Sequence, residues 1–491
     1  MTNTLRQQTL SALIWSFLQN WGTKFFSLLT FLILARLLTP EEMGVASSVS
    51  LVLMFVAVLS EQGMIEAIIQ QQGLIARHLN LPFLLSMAIA AVCSLCLLFF
   101  GGFIAEIVGV KAPASLITMA AIVPPITAAT NFQTAIRRRE LDFRSLAIAT
   151  LIATLLAGIV AVGMAFAGFG ALSLVAQAIC LAVVSAALLW RQPQWKPSFD
   201  FDLVGFGNLM AYSSHTFIGK LIDLISSRVI DLAMLSKFGV VGLGMYTVAS
   251  KLYLTLFQLF ASTLMDVALS AFSKLTGQAN RLSETYQRFV FLAACTTLPL
   301  FFMIGAIAPE ICIVLFGTKW DGVGKILQML AILGAAETVS CFNASLLAAN
   351  GKAKQLLRIN IAKFFLGVSS IVLCSGDSMA SITLVFVVSQ LAVMPFVFFM
   401  AARAGKIQIS VTTQSLLPGS LSAALAFSAV EGARSLIHLP EHWVTARGLI
   451  LATIFCFVFA TCLSVTSLDR VRSEVQYLRG SLNKQPRRRH S

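Results

Sequence analysis

Charge is what this 491-residue chain has least of: Asp, Glu, Lys and Arg make up 11% of it and hydrophobic residues 58%, whereas ordinary soluble domains carry about 25% charged residues. A soluble fold has no interior large enough for so much apolar surface. The mean hydropathy of +0.86 places the chain in a membrane. Acids are the scarcer sign, 21 against 35 Lys and Arg, and histidines number only 5. His438 and His442 have a possible ligand spacing but lack the Glu of an HExxH helix and flank Pro440, so they read as loop residues. Most of the nine cysteines fall inside apolar runs, including the Cys93 and Cys96 pair, where packing outweighs redox or metal chemistry. No metal or cofactor is expected. Long polar loops are also missing. A membrane polymerase or ligase would need a sizeable loop carrying an acid, a base and a nucleophile, so the chain reads as a non-enzyme. The first apolar run is too long for a cleavable signal peptide and reads as a spanning helix.

What the chain has instead is about fourteen apolar stretches of roughly twenty residues, each the length of a helix that crosses a bilayer. Lys and Arg alternate between the connections. One set, with both termini, holds twenty-four, among them Arg137, Arg138, Arg139, Lys352, Lys354 and Arg358, and the opposite set holds seven. Cytoplasmic loops retain positive charge, so both termini are expected in the cytoplasm. Anionic headgroups on that face account for the net charge of +14, with no need for nucleic acid. The basic end, Lys484 to Ser491, reads as a lipid-facing tail.

The string ILARLLTPEEMGVASSVS (33–50) bears comparison with IDLAMLSKFGVVGLGMYTVAS (230–250), and the basic loop after Phe132 with the one after Phe342. Both offsets correspond to six helices, an even number, so the two copies enter the membrane the same way round. The expected fold is therefore all-α and integral to the membrane, with two six-helix lobes related by a pseudo-twofold axis along the membrane normal and two additional C-terminal helices. The expected divisions are an N-terminal lobe 1–190, a cytoplasmic linker 191–206, a C-terminal lobe 207–405, two extra helices 406–470 and a basic tail 471–491.

Ionisable residues within spans are costly and mark candidate functional sites. In the seventh span Lys220, Asp223, Arg228 and Asp231 fall within an arc of roughly 140° at about 100° per residue. The competing reading pairs Lys220 with Asp223 and Arg228 with Asp231 along the helix. Lys24 stands midway along the first span, near Asn20 and with no acid within one turn, while Lys251 and Asp266 share a face of the eighth. Unpaired cations facing a cavity suit an anionic cargo such as pyrophosphate. Lys24, Lys220, Arg228, Lys251 and Asn20 are accordingly the candidate substrate contacts, and Asp223, Asp231, Asp266 and Glu337 the candidate ion-coupling acids.

Five strings in order, ILARLLTPEEMG, EQGMIEAIIQQ, RRRELDFRSLA, MYTVASKL and FGTKWDGVGKILQMLAILG, give the chain from about residue 10 to 405 a resemblance to Wzx-type polysaccharide flippases. These sit in the larger superfamily that also contains multidrug and toxin extruders. The resemblance implies a transporter of the bacterial inner membrane that moves an undecaprenyl-pyrophosphate-linked oligosaccharide from the cytoplasmic to the periplasmic leaflet by alternating access. It also implies membrane lipids, a polysaccharide polymerase and export machinery as partners. The nearest alternative is a cation-coupled extruder of the same fold, whose first span would offer an acid where this one offers Lys24.

Overall fold

The computed structural model describes residues 2–71, 73–107, 114–374, 376, 378–436 and 443–483, and every regular element among them is helical. The loop with His438 and His442 and the tail 484–491 lie outside the described residues. So do the side chains of His215 and Asp266.

Two compact units divide the chain. The first comprises Met1–Thr255 with the segments Leu315–Val323 and Gly367–Ile382. It contains α1 (Thr2–Leu37), α2 (Pro40–Glu61), α3 (Met64–Gln70), α4 (Asn80–Ile107), α5 (Ala114–Ala120), α6 (Val123–Arg139), α7 (Phe143–Phe166), α8 (Leu172–Trp190) and most of α9 (Leu203–Lys274). The starts of these helices are written into the sequence. Thr39 caps α2 in a reciprocal box with Glu42, with Pro40 in the first turn, and Asp142 accepts from the Ser145 N–H at 3.2 Å to open α7; each satisfies donors that a helix start leaves free. Although α9 is 72 residues long, Gly239 breaks it with φ 65 and ψ −162, a conformation open to glycine and costly for other residues.

The linker before α9 is strapped to the first unit. Trp195 is buried among Phe83 and Phe132, donates its indole N–H to Ala76 O at 3.1 Å and accepts from Gln133 Nε2 at 2.7 Å. Asn80 Nδ2 donates to Asp200 O at 2.6 Å. Of the triplet Arg137, Arg138 and Arg139 only Arg138 is exposed. Arg137 donates to Leu189 O and Gln192 O beyond the end of α8, and Arg139 donates to Ile68 O and Gln71 O at the end of α3, both at 2.6 Å. Two of the three arginines therefore cap helix ends, where cations are favoured.

The second unit contains α10 (Ala279–Cys295), α11 (Thr297–Ala306), most of α12 (Ala308–Phe316) and α13 (Val323–Ala349), the start of α14 (Ala353–Leu373), most of α15 (Met379–Gly405), α16 (Ile409–Leu436) and α17 (Val444–Asn483). Tyr286 donates to Asn343 Oδ1 at 2.5 Å in its interior. Arg434 and Arg447 tie α16 and α17 to the buried Glu310, at 2.9 and 3.3 Å.

Twelve described stretches are long and apolar enough to cross a membrane, against about fourteen expected. One of them, Leu209–Phe260, runs through the Gly239 break and holds the expected seventh span and much of the eighth. The first expected span lies on α1, where Gln19, Asn20, Thr23 and Lys24 dilute the apolar pattern.

Candidate functional site

The end of α2 organises the most charged place in the first unit. Gln62 and Gly63 both take left-handed conformations, φ 49 and 72, which stop α2 and restart the chain as α3. A Cβ on Gly63 would stand 2.8 Å from Ser213 O and 3.0 Å from Thr216 Cβ, so glycine lets α9 approach the break. Ser213 Oγ donates to Gln62 O there. The break leaves Glu61 and Glu66 on either side of Lys220: its Nζ pairs with Glu61 Oε1 and, at 2.8 Å, with Glu66 Oε2. The local Lys220–Asp223 pair is thus not formed. Asp223 is exposed, with no side-chain partner among the described residues. A lysine gains more from two carboxylates on neighbouring helices than from one facing solvent.

Two turns further along, Arg228 does pair locally, with the buried Asp231 at 3.1 Å. That pair leaves the guanidinium under-satisfied: Arg228 Nε is buried and makes no hydrogen bond among the described residues. Lys251 adds a like charge within electrostatic range of Arg228. Lys251 makes no side-chain hydrogen bond or ion pair among the described residues.

Lys24 is half-buried on α1, also without a hydrogen bond or ion pair among the described residues. Asn20, one turn before it, is exposed, and Thr23 turns its hydroxyl back to Gln19 O at 2.6 Å. Glu337 belongs to the second unit, where it pairs with Lys363 at 3.5 Å.

The sequence pattern did not pair Glu61 and Glu66 with Lys220; the signal was the Gln62-Gly63 pair between them, where the chain turns left-handed. Trp320 belongs to the string FGTKWDGVGKILQMLAILG. It is 2% exposed and donates its indole N–H to Ala35 O at 2.7 Å. Beside it Lys319 Nζ donates to Arg36 O at 2.7 Å; burial lowers that ammonium from its usual pKa while Glu42 opposes the shift. No group of three His, Cys, Asp or Glu side chains that could hold a metal ion occurs among the described residues. In the first unit Arg228 and Lys251 lie within electrostatic range of one another, and no hydrogen bond or ion pair among the described residues joins Lys24 to either.

The chain is similar to known proteins over most of its length. A sequence-family model described as "Polysaccharide biosynthesis protein" matches residues 33–325. The succinoglycan biosynthesis transport protein ExoT of Rhizobium meliloti (strain 1021) is 26% identical over 333 residues, 68% of this chain and 67% of that protein. The lipopolysaccharide biosynthesis protein WzxC of Escherichia coli (strain K12) is 21% identical over 395 residues, 79% and 80% of the two chains. Among solved structures, the lipid II flippase MurJ in an inward closed conformation superposes with a TM-score of 0.72 at 14% identity, covering 94% of this chain and all 100% of that one. An inward-facing multidrug resistance MATE family transporter of the MOP superfamily gives a TM-score of 0.58 at 13% identity, covering 84% and 96%.

Proposed function

The chain belongs to the polysaccharide biosynthesis protein family, and from that premise we propose that it is a flippase for lipid-linked oligosaccharide. Its cargo in this reading is an undecaprenyl-pyrophosphate-linked exopolysaccharide repeat unit, turned from the cytoplasmic to the periplasmic leaflet of a bacterial inner membrane by alternating access. The protein performs no covalent chemistry; it lowers the barrier to moving a charged, hydrated head through hydrocarbon, where ions are expensive. The observation that carries the reading is Arg228, whose buried Nε makes no hydrogen bond among the described residues, with Lys24 and Lys251 as further cations that have no hydrogen bond or ion pair among them. A pyrophosphate supplies the acceptor oxygens those cations lack, through charge-assisted hydrogen bonds. Asn20 stands beside Lys24 to take a sugar hydroxyl. Lys220 enters the set only when Glu61 and Glu66 release it. Relatives named for succinoglycan transport and lipopolysaccharide biosynthesis support a saccharide cargo. The fold shared with a multidrug transporter keeps drug export as the rival.

The test is leaflet-resolved transport in proteoliposomes, with a fluorescent polyprenyl-pyrophosphate oligosaccharide and a cationic dye offered separately. Sugar-lipid movement that falls roughly tenfold to a hundredfold in Lys24→Ala and in Arg228→Ala, with both variants still inserted, is the expected result. That fall matches the ~1.5–3 kcal/mol of a charged hydrogen bond. Dye movement driven by an ion gradient, without sugar-lipid movement, transfers the assignment to the extruder class.

A further inference from the structure

The connection between α8 and α9 has two edges of opposite character. From Ser198 to Leu203 it reads S-F-D-F-D-L, polar and apolar in alternation, and it is not helical before α9 begins. The polar residues are bonded to the start of α4 and the turn before it. Asn80 Nδ2 donates to Ser198 Oγ at 2.9 Å and to Asp200 O at 2.6 Å, while the Ser198 N–H donates to Asn80 Oδ1 at 3.1 Å. The Asp202 carboxylate pairs with His78 Nε2 at 3.0 Å and with Arg77 Nε at 3.7 Å. Asn80 is buried, so this edge is closed.

The apolar edge is open. Phe199 is 90% exposed, Phe201 45% and Leu203 74%, and the two rings stand edge-on with centroids 6.5 Å apart, so they project to the same side. Exposed apolar groups within a spanning helix face lipid tails, but these three lie between spans, after Leu172–Trp190 and before Leu209–Phe260. An apolar patch at such a place marks an interaction surface. The closed edge fixes where the patch lies. It is bonded to Arg77, His78 and Asn80, in the first turns of the stretch Ala76–Phe103, and Trp195 is held by Gln133, in the last two turns of Ser115–Arg139. A segment pinned to the ends of spanning stretches sits where hydrocarbon gives way to headgroups. Charge agrees with that layer: Arg191 and Lys196 are exposed and make no hydrogen bond or ion pair among the described residues, and anionic headgroups attract basic residues beside a span. Phe and Leu on one side with Lys and Arg beside them is the composition of segments that lie in the membrane interface.

We infer that Phe199, Phe201 and Leu203 are an interfacial anchor, immersed at the headgroup boundary of a leaflet that carries anionic phospholipid, with Arg191 and Lys196 against its phosphates. The connection is then clamped from two sides, by Asn80, His78 and Arg77 on its polar edge and by lipid on its apolar edge. Leu203 opens α9, the helix that carries Lys220 and Arg228, so the anchor sets the depth at which those cations stand in the bilayer. None of this depends on which cargo is carried, and the anchor stands or falls apart from the flippase reading.

The experiment uses the full chain with its native cysteines replaced and a nitroxide attached at Phe199→Cys, at Phe201→Cys or at the exposed control Glu140→Cys, in vesicles of phosphatidylethanolamine and phosphatidylglycerol. Collisions of the label with oxygen, which concentrates in hydrocarbon, are compared with collisions with a water-soluble nickel chelate. The expected result is an oxygen-to-chelate ratio several-fold higher at 199 and 201 than at 140, equivalent to a depth of about 5–10 Å. A chelate that reaches 199 and 201 as freely as 140 would place the patch in water and overturn the inference. Labels at 199 and 201 shielded from both reagents would mean that protein covers the patch, a second copy or a bound partner, and would overturn it as well. All three positions are exposed, and unchanged melting temperatures confirm that the labelled chains are folded. A second arm repeats the Phe199→Cys measurement with Arg191→Gln and Lys196→Gln together: a shallower label is expected, and an unchanged depth overturns the phosphate contact.

Discussion

Lys220 and Arg228 lie eight residues apart on one helix, each has an acid three residues further on, and they end in different company. Arg228 takes the acid that its spacing offers, Asp231. Lys220 ignores Asp223 and takes Glu61 and Glu66. The difference is what the neighbouring helices bring: a break at Gln62-Gly63 aims two carboxylates at Lys220. Replacing the lysine by an apolar side chain of similar length leaves those carboxylates facing one another without a counter-charge, and breaking such a cluster costs more than forming it contributes. Lys220→Met is therefore expected to lower the thermal melting temperature by several degrees, and Lys220→Met with Glu66→Gln to recover most of the loss. Equal melting temperatures for the single and double variants would show that the three groups are not coupled.

Helix contacts depend on positions that a hydropathy reading treats as filler. A Cβ added to Gly244 would lie 2.0 Å from Pro40 O, and one on Gly44 would lie 1.7 Å from Val240 O. Backbone meets backbone, with no flexible side chain to yield, which is the use of small residues between spanning helices. Gly244→Ala must force the start of α2 away from the second part of α9; its melting temperature should fall sharply, while Gly163→Ala, with nothing within 4 Å of the new Cβ, stays at the wild-type value. In the basic loop, Arg139→Ala removes two donors from the carbonyls that end α3, and Arg138→Ala removes an exposed charge. Loss of such a cap costs on the order of 1–2 kcal/mol. Arg139→Ala should lower stability and Arg138→Ala should not; the reverse order in a thermal-shift assay would refute the capping role. The sequence made α9 and α2 legible as apolar runs, and the Arg228–Asp231 pair legible as an i,i+3 spacing. It hid the Lys220 partners and the capping arginines because those contacts join residues some 50 to 160 positions apart, where helical periodicity carries no information. Which backbone each glycine admits is hidden for the same reason, since it depends on what packs against it.

At the scale of the whole molecule, the segment Leu315–Val323 is unusual: it belongs to the first unit, although the chain on both sides of it belongs to the second. Its attachment is explicit. The last turn of a helix leaves carbonyls without intrahelical donors, and at the end of α1 two of them are filled by this segment, Ala35 O by the Trp320 indole and Arg36 O by Lys319. Phe316 packs edge-on against Phe31 at 6.3 Å beside them. A transporter that alternates between states has to make and break some contacts of this kind, and a buried hydrogen bond at a helix end is a bistable one, either formed or replaced by water. Trp320→Phe keeps the ring and deletes the donor, so Ala35 O is left buried and unpaired at a cost of about 1–3 kcal/mol. Such a bias shifts a two-state population roughly fivefold to a hundredfold. Spin labels at Leu37 and Thr318, with the native cysteines replaced, should report a single short distance in the otherwise wild-type chain and a second, longer population in Trp320→Phe. Lys319→Met should shift the distribution less, because its ammonium retains access to water. An unchanged distance distribution in Trp320→Phe would mean that the aromatic contacts alone hold the segment to α1, and the indole hydrogen bond would then have no part in the conformational cycle.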